Sequence, residues 1–275
     1  MRRRRRGWRS CTWSRCARQS PTRRGGWPTG WLSHHGDGQR ARRVQATGWA
    51  ASITLHRSAR PVQGQVGDPH THAHVMIPNM VKCVDGTWRT LAAGGRDLHR
   101  HVALLGELAK ARVREKSARE FGAVWKQDER TGEWEIVGFD PGLRGLFSSR
   151  SRQITELVGA DASRAQKQAA GRVLAQAKDP LGETGTARQA WRARAEAAGY
   201  DVDALVGRAL SGPGAAPAAP VPSLEDLVAR VWDPETGVTA HRKVVSRVQV
   251  MAAVTAALGG GITSVSQVEV LTDAV

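Results

Sequence analysis

Histidine alternates with smaller residues along segment 68–74, which runs Asp-Pro-His-Thr-His-Ala-His. Side chains at positions i and i+2 of a β-strand project from the same face, so His72 and His74, with His70 as a further candidate, would direct their imidazoles to one point. The preceding segment, 51–56, also alternates and carries His56 on its polar face. Converging imidazoles are typical metal ligands. The pattern therefore predicts a metal site at His72 and His74, with a third ligand from a neighbouring strand, for which His56 is a candidate.

The rest of segment 45–158 is typical of an α+β fold. One strand is expected from residue 68 to about 84, where Asp85-Gly86 is a strong hairpin signal before a short strand over 88–91. A second hairpin would have its tip at residues 131–132. Apolar residues at helical spacing predict a helix over 97–121, ended by Gly122, and another from Pro141 to about residue 157. We expect a largely antiparallel sheet with packed helices.

Residues beyond 158 are predicted to be mainly helical. Helices are expected over 162–178, 187–198, 202–210 and 247–258, and a linker rich in proline, alanine and glycine covers 211–222. Two capping boxes, Ser223 with Asp226 and Ser266 with Glu269, indicate helix starts. The predicted organisation is a segment 1–44, an α+β region 45–158, a helical extension 159–210, the linker 211–222 and a helical region 223–275.

Most of the net charge of +16 belongs to the first segment. Residues 1–44 hold 13 arginines and one acidic residue, for a net charge of +12, whereas the rest of the chain holds 28 basic and 24 acidic side chains. The segment has no helical or strand periodicity, so we expect it to be disordered. It is either a basic arm that contacts phosphate groups or mistranslated sequence joined to a true domain.

Composition excludes several classes of protein. No run approaches the ~18 to 20 consecutive apolar residues of a membrane span, and no apolar segment typical of a secretory signal follows the first arginines. The three cysteines, Cys11, Cys16 and Cys83, leave one unpaired in any disulfide scheme. We therefore expect a cytoplasmic protein with one large domain or two small ones.

Several motifs together resemble one known family. Segment 48–91, GWAASITLHRSARPVQGQVGDPHTHAHVMIPNMVKCVDGTWRTL, is similar to the core of conjugative relaxases of the TrwC/TraI type, the MobF family. It has a His-Arg pair, an Asp-Pro turn, a His-x-His-Val run, an Asn and an Asp-Gly-x-Trp-Arg-Thr-Leu hairpin in the family's order. The similarity continues through segments 96–122, 141–154 and 237–258. It implies part of the antiparallel sheet of the relaxase (HUH-like) fold.

The resemblance also implies a ligand set and a partner. One divalent cation would be bound, Mg²⁺ or Mn²⁺ in the first place and Zn²⁺ or Ni²⁺ as alternatives, and its ligands would be His56, His72 and His74. The partner would be single-stranded DNA at a transfer origin. The residues expected to contact this DNA are Arg57, Arg60 and Arg89.

In such relaxases the metal polarises a scissile phosphate, and a tyrosine near the N-terminus attacks it. Tyr200 is the only tyrosine of this sequence, and it lies far along the chain from the histidines, so we expect no catalytic nucleophile here. Intact members carry a helicase domain after the relaxase domain, yet this sequence has no GxxxxGK[ST] loop for phosphate binding. The resemblance therefore implies a truncated relaxase fragment, inactive alone.

Two other functions are consistent with parts of the sequence. Asp68, His70 and His72 also match the Asp-x-His-x-His pattern of metal-dependent amidohydrolases, but the barrel of those enzymes needs ~250 residues. Its further ligands would have to come from residues 99, 101 and 241, which lie in predicted helices. The other alternative is a non-catalytic DNA-binding remnant, in which the arginines of segment 1–44 contact phosphate groups without sequence preference.

Overall fold

A computed structural model describes residues 44–62, 65–91, 95–129, 131–139, 141–175, 185–210, 212, 221–240 and 242–275. The strands are β1 (Ala46–Trp49), β2 (Ser52–Ser58), β3 (Pro69–Met76), β4 (Met80–Cys83), β5 (Trp88–Thr90), β6 (Trp125–Gln127) and β7 (Trp134–Ile136). The helices are α1 (Arg96–Arg100), α2 (Val102–Phe121), α3 (Pro141–Leu146), α4 (Ser149–Val158), α5 (Arg164–Val173), α6 (Gly185–Ala197), α7 (Val202–Ala209), α8 (Leu224–Val231), α9 (Arg247–Ala257) and α10 (Val265–Ala274). The predicted α+β class is confirmed.

Among the described residues the chain forms two compact units, one with residues 44–50 and 77–98 and the other with residues 51–76 and 99–275. Each is described by itself. Almost all of the predicted segment 1–44 and of the linker 211–222 lies outside the described residues. Within the part of the chain that is described, no helix combines the length and apolar character that a bilayer span requires.

The first unit is a small antiparallel sheet in the order β1-β4-β5. Val81 and Cys83 of β4 are buried at its centre, with 2% and 1% of their surface exposed. The predicted hairpin is confirmed, since Gly86 has the positive φ of 78° that its turn requires. The Asp85 carboxylate accepts hydrogen bonds from the backbone N–H and the hydroxyl of Thr87. These bonds close the turn locally.

The single strand predicted from 68 to 84 is two strands in different sheets. β3 ends at Met76 and β4 begins at Met80. Pro78 lies between them and has no N–H to donate to a strand ladder. Its carbonyl instead accepts a hydrogen bond from the Met80 N–H at 2.6 Å. The proline therefore ends the histidine-bearing strand.

The second unit contains most of the apolar core. Helices α2, α8, α9 and α10 pack around a cluster in which Leu104, Leu227, Val254 and Val268 are 0–2% exposed. We call this packing the helical core. The helix predicted over 97–121 is divided at His101 into α1 and α2, and Gly122 ends α2 with a φ of 69°, as predicted.

A smaller apolar cluster holds the middle of the chain together. Leu143, Ala195 and Leu205 are buried in it, with partly buried neighbours from residues 139 to 202. The helix predicted from Pro141 is divided into α3 and α4 because Ser148 leaves helical geometry and donates its hydroxyl proton to the Arg144 carbonyl at 2.7 Å. The hairpin predicted at 131–132 is confirmed as β6 and β7.

Helix starts are set by side-chain caps. The predicted box of Ser223 with Asp226 is confirmed at α8, but the box predicted at Ser266 is wrong. α10 begins two residues earlier, because Ser264 has extended backbone and its hydroxyl accepts the Gln267 N–H at 3.2 Å. Ser266 therefore lies inside the helix.

Candidate metal centre

Strands β2 and β3 pair antiparallel and form, with the described connecting residues 59–62 and 65–68, what we call the histidine hairpin. His56 lies directly opposite His72 in this pairing, and Thr54 lies opposite His74. Residues directly opposite each other project from the same face of an antiparallel pair, and His74 is two residues beyond His72. The register therefore brings three imidazoles to one face.

The three rings form a compact triangle. Ring centroids are 5.3 Å apart for His56 and His72, 4.7 Å for His56 and His74, and 5.1 Å for His72 and His74. One nitrogen from each ring lies within 4.8 Å of the other two. His56 and His72 are half-buried and His74 is exposed. The cluster is therefore open to solvent on one side.

This donor set fits a single metal ion. Imidazole nitrogens bind zinc at about 2.0–2.1 Å, so two ligands of one ion lie at most about 4.2 Å apart. Small ring rotations would close the observed triangle on an ion. His72 is already oriented, because its Nδ1 lies 2.8 Å from the His70 carbonyl oxygen. A carbonyl only accepts, so Nδ1–H donates and the Nε2 lone pair of the neutral ring is free for a metal.

His70 lies beside the cluster and is not part of it. Its ring stacks on that of His72 with centroids 4.7 Å apart. Partial burial, followed by the proximity of His72, lowers the pKa of His70. Its backbone carbonyl, which orients His72, is the contact by which it contributes to the site.

Asp68 has a different environment from the one an amidohydrolase ligand would need. It is 6% exposed, and its carboxylate accepts hydrogen bonds from the Ser149 N–H at 2.7 Å and from Arg194 at 2.8 Å. These contacts occupy its oxygens. Sequence reasoning missed Ser149 and Arg194 because they are 81 and 126 residues away from Asp68, beyond the reach of any local pattern.

Two of the three arginines predicted to contact DNA are exposed, whereas Arg89 is partly buried, with 23% of its side chain exposed. Arg57 is exposed on β2, next to His56 in sequence and on the opposite face of the strand. Arg60 is exposed just after β2. Arg89 lies in β5 of the other unit, where Nη2 forms an ion pair with Asp85 at 2.5 Å. Their role in DNA binding stays a prediction.

Tyr200 is placed in the helical part of the second unit. It packs against the apolar cluster around Leu143 and Leu205, between α6 and α7. It is half-buried.

Comparison with known proteins points to one family. The family model described as TrwC relaxase matches residues 32–198. Among solved structures, a complex of the conjugative relaxase TrwC with mutant OriT DNA is 25% identical, with a TM-score of 0.50, over 63% of this chain and 60% of that chain. A copper-bound complex of TrwC with OriT DNA is 24% identical, with a TM-score of 0.50, over 63% and 57%. No curated protein matches.

Proposed function

Because the chain belongs to the TrwC relaxase family, we propose that it supplies the metal-binding part of a conjugative DNA relaxase. The chain spans 60% of the length of the TrwC structure that it resembles, so the activity of a whole relaxase is part of the proposal. The observation that carries it is the convergence of His56, His72 and His74 on one face of the histidine hairpin. Family membership favours this function over an amidohydrolase, as does the engagement of Asp68 by Ser149 and Arg194.

The three histidines would hold one divalent cation against a DNA phosphate. A bound cation would neutralise the phosphate oxygens and stabilise the charge that develops as the phosphate is attacked. Neutral imidazoles leave the full charge of the ion directed at the DNA. We propose Mg²⁺ or Mn²⁺ as the native ion, with Zn²⁺ and Ni²⁺ as alternatives that an all-imidazole site suits well.

The covalent step of a relaxase needs a tyrosine. Its phenolic oxygen forms a bond to phosphorus while the bond from phosphorus to the 3′ oxygen breaks, which leaves a phosphotyrosine and a free 3′-hydroxyl. The only tyrosine in this sequence, Tyr200, packs beside Leu143 and Leu205. We propose that this chain binds metal and DNA but does not form the adduct by itself.

DNA binding is the second part of the proposal. Arg57, Arg60 and Arg89 would contact the phosphates of a single strand at a transfer origin. In an intact relaxase a helicase domain would follow in the same chain, and the reaction would take place in the cytoplasm. The free thiol of buried Cys83 is consistent with a reducing compartment.

Isothermal titration with Mn²⁺ and Ni²⁺ tests the metal site. We expect one ion per chain, and we expect His72→Ala to remove measurable binding because it deletes the central ligand. His99→Ala is the matched control, since His99 is exposed on α1 and outside the cluster. Unchanged affinity in His72→Ala would refute the ligand assignment.

A denaturing gel tests the missing nucleophile. The chain is incubated with single-stranded DNA from a transfer origin and Mn²⁺ or Mg²⁺, and we expect no SDS-stable adduct. An adduct that disappears in Tyr200→Phe would show that Tyr200 is a nucleophile after all.

DNA binding by a chain that lacks residues 1–44 tests the non-catalytic alternative. If the protein is only a DNA-binding remnant, its salt-dependent DNA binding should vanish when that segment is deleted.

A further inference from the structure

We infer that Asp68, Ser149 and Arg194 position the histidine hairpin for metal binding. We call these three residues the Asp68 anchor. The inference rests on the proposed function, since it concerns how the three histidines are held in place. Asp68 is the last residue of the connecting loop. It directly precedes β3 and lies four residues before His72.

The anchor is a charge network around the buried Asp68 carboxylate. One oxygen of the Asp68 carboxylate accepts the Ser149 N–H at 2.7 Å, and the other accepts from the Ser149 hydroxyl at 3.2 Å and from Arg194 Nη1 at 2.8 Å. Arg194 Nη2 also donates to the Ser149 hydroxyl at 2.8 Å and to the Leu146 carbonyl. The Asp68 side chain is 7% exposed and that of Arg194 is 24% exposed. The network joins the hairpin to the start of α4 and to α6.

Neighbouring residues hold the same end of the hairpin. The Trp191 indole N–H on α6 donates to the Gly67 carbonyl at 2.8 Å, and the Ala59 N–H donates to the Asp68 carbonyl at 2.8 Å. A Cβ on Gly67 would lie 2.0 Å from the Ala59 carbonyl oxygen, so this close approach requires glycine. The two ends of the loop are thus tied to each other and to α6.

Apolar packing contributes little to holding the hairpin. The face opposite the histidines carries Ile53, Leu55 and Val75, and their side chains are 50%, 54% and 48% exposed among the described residues. Half-exposed side chains gain only part of the free energy that full burial provides. The position of the hairpin on its helices therefore depends on the polar contacts at its loop end.

This dependence connects the anchor to the ligands. His72 lies about 13 Å along β3 from Asp68 at ~3.3 Å per residue, and His56 is two residues before Ser58, which pairs with Pro69. Metal ligands have to be held within about 0.5 Å of their productive positions. Removing one partner of a buried charge pair leaves the other charge uncompensated. The loop end of the hairpin, where the Ala59 N–H donates to the Asp68 carbonyl, would then loosen, and His56 on β2 would move relative to His72 and His74 on β3.

Asp68→Asn in the full chain is the direct test. We expect Ni²⁺ affinity, measured by isothermal titration, to fall about tenfold, as for the loss of other residues that support metal ligands. The visible absorption of the Co²⁺ complex should change as well, because it reports the ligand geometry and is insensitive to overall stability. Trp191→Phe should give a smaller loss in the same direction, and it keeps the test open if Asp68→Asn does not fold.

Asp203→Asn is the matched control. Asp203 forms an exposed ion pair with Arg192, which is on the same helix as Arg194. This variant removes a carboxylate that pairs with α6 but does not contact the hairpin. The Ni²⁺ affinity and the Co²⁺ spectrum should therefore be unchanged.

The outcomes are distinguishable. If the unaltered chain binds Ni²⁺ and folded Asp68→Asn and Trp191→Phe bind it equally well with the same Co²⁺ spectrum, the anchor does not position the ligands. If the unaltered chain binds no metal at all, the proposed function fails first, and this inference with it.

Discussion

The inward-facing apolar side chains of the helical core are almost completely buried, whereas the large apolar side chains of β2 and β3 in the histidine hairpin stay about half exposed. Leu227 and Val254 expose none of their surface, and Ile53 and Leu55 expose 50% and 54%. The core is thus held by burial, and the hairpin by backbone pairing and the Asp68 anchor. Stability and metal binding should respond to different substitutions.

Arg114 gives the same contrast for charged residues. It is 2% exposed within the helical core and donates to the carbonyls of Thr255 and Leu258. Arg194 in the anchor is also hydrogen-bonded, but it pairs with the Asp68 carboxylate at the loop end of the histidine hairpin. The buried Arg114 guanidinium joins helix to helix, and the partly buried Arg194 guanidinium joins the histidine hairpin to α6.

The largest effect is expected for Leu227→Ala. Truncating a fully buried leucine removes its transfer free energy and leaves a cavity, which costs about 2–5 kcal/mol of the free energy of unfolding. Urea denaturation measures this loss. Ni²⁺ affinity of the folded variant should stay within about twofold of the unaltered chain, because sites that share no partners act independently.

A loss of Ni²⁺ affinity in Leu227→Ala would show that core stability and metal binding are not independent. If Leu227→Ala weakened Ni²⁺ binding as much as Asp68→Asn does, general loosening of the fold would explain both variants. The anchor would then have no specific role.

A smaller loss is expected for Arg114→Met. Methionine keeps much of the buried volume but removes two hydrogen bonds from a charged donor, at a cost of about 1–3 kcal/mol. The carbonyls of Thr255 and Leu258 then keep the backbone N–H groups of Leu258 and Gly261 as donors. The substitution also removes the contact of the guanidinium with Trp134, whose ring centroid is 5.4 Å away. Urea denaturation again measures the change.

Arg112→Met is the control for that variant. Arg112 donates to the carbonyls of Ile262 and Thr263 in the same way, but its side chain is 48% exposed. Water can replace its hydrogen bonds, so its loss should cost clearly less. Equal losses would mean that burial of Arg114 adds nothing to its contribution.

The sequence predicted the parts of the molecule that depend on local patterns. The period of two along 68–74 was sufficient to bring His72 and His74 to one face, and Gly86 and Gly122 marked the turn and the helix end by the positive φ that each adopts. The proximity of His56 to this pair followed from the pairing of adjacent segments.

Features set by distant residues could not be predicted in this way. The partners of Asp68 lie 81 and 126 residues away. The Asp-x-His-x-His pattern suggested Asp68 as a metal ligand, but its carboxylate forms an ion pair with Arg194. The sequence also could not show that Ser264, and not Ser266, caps the helix, because each is followed by a possible capping partner three residues later. The backbone conformation at Ser264 decides between them.

The smallest effect is expected for Leu55→Thr in the histidine hairpin. Leu55 is 54% exposed on β2, threonine is favoured in strands, and substitutions at exposed positions usually change stability by no more than about 0.5 kcal/mol. Val81→Thr is the buried counterpart, since Val81 is a strand residue that is only 2% exposed, and it should cost more. A loss above about 1 kcal/mol in Leu55→Thr would mean that this face is covered in solution, and burial would then support the hairpin alongside the anchor.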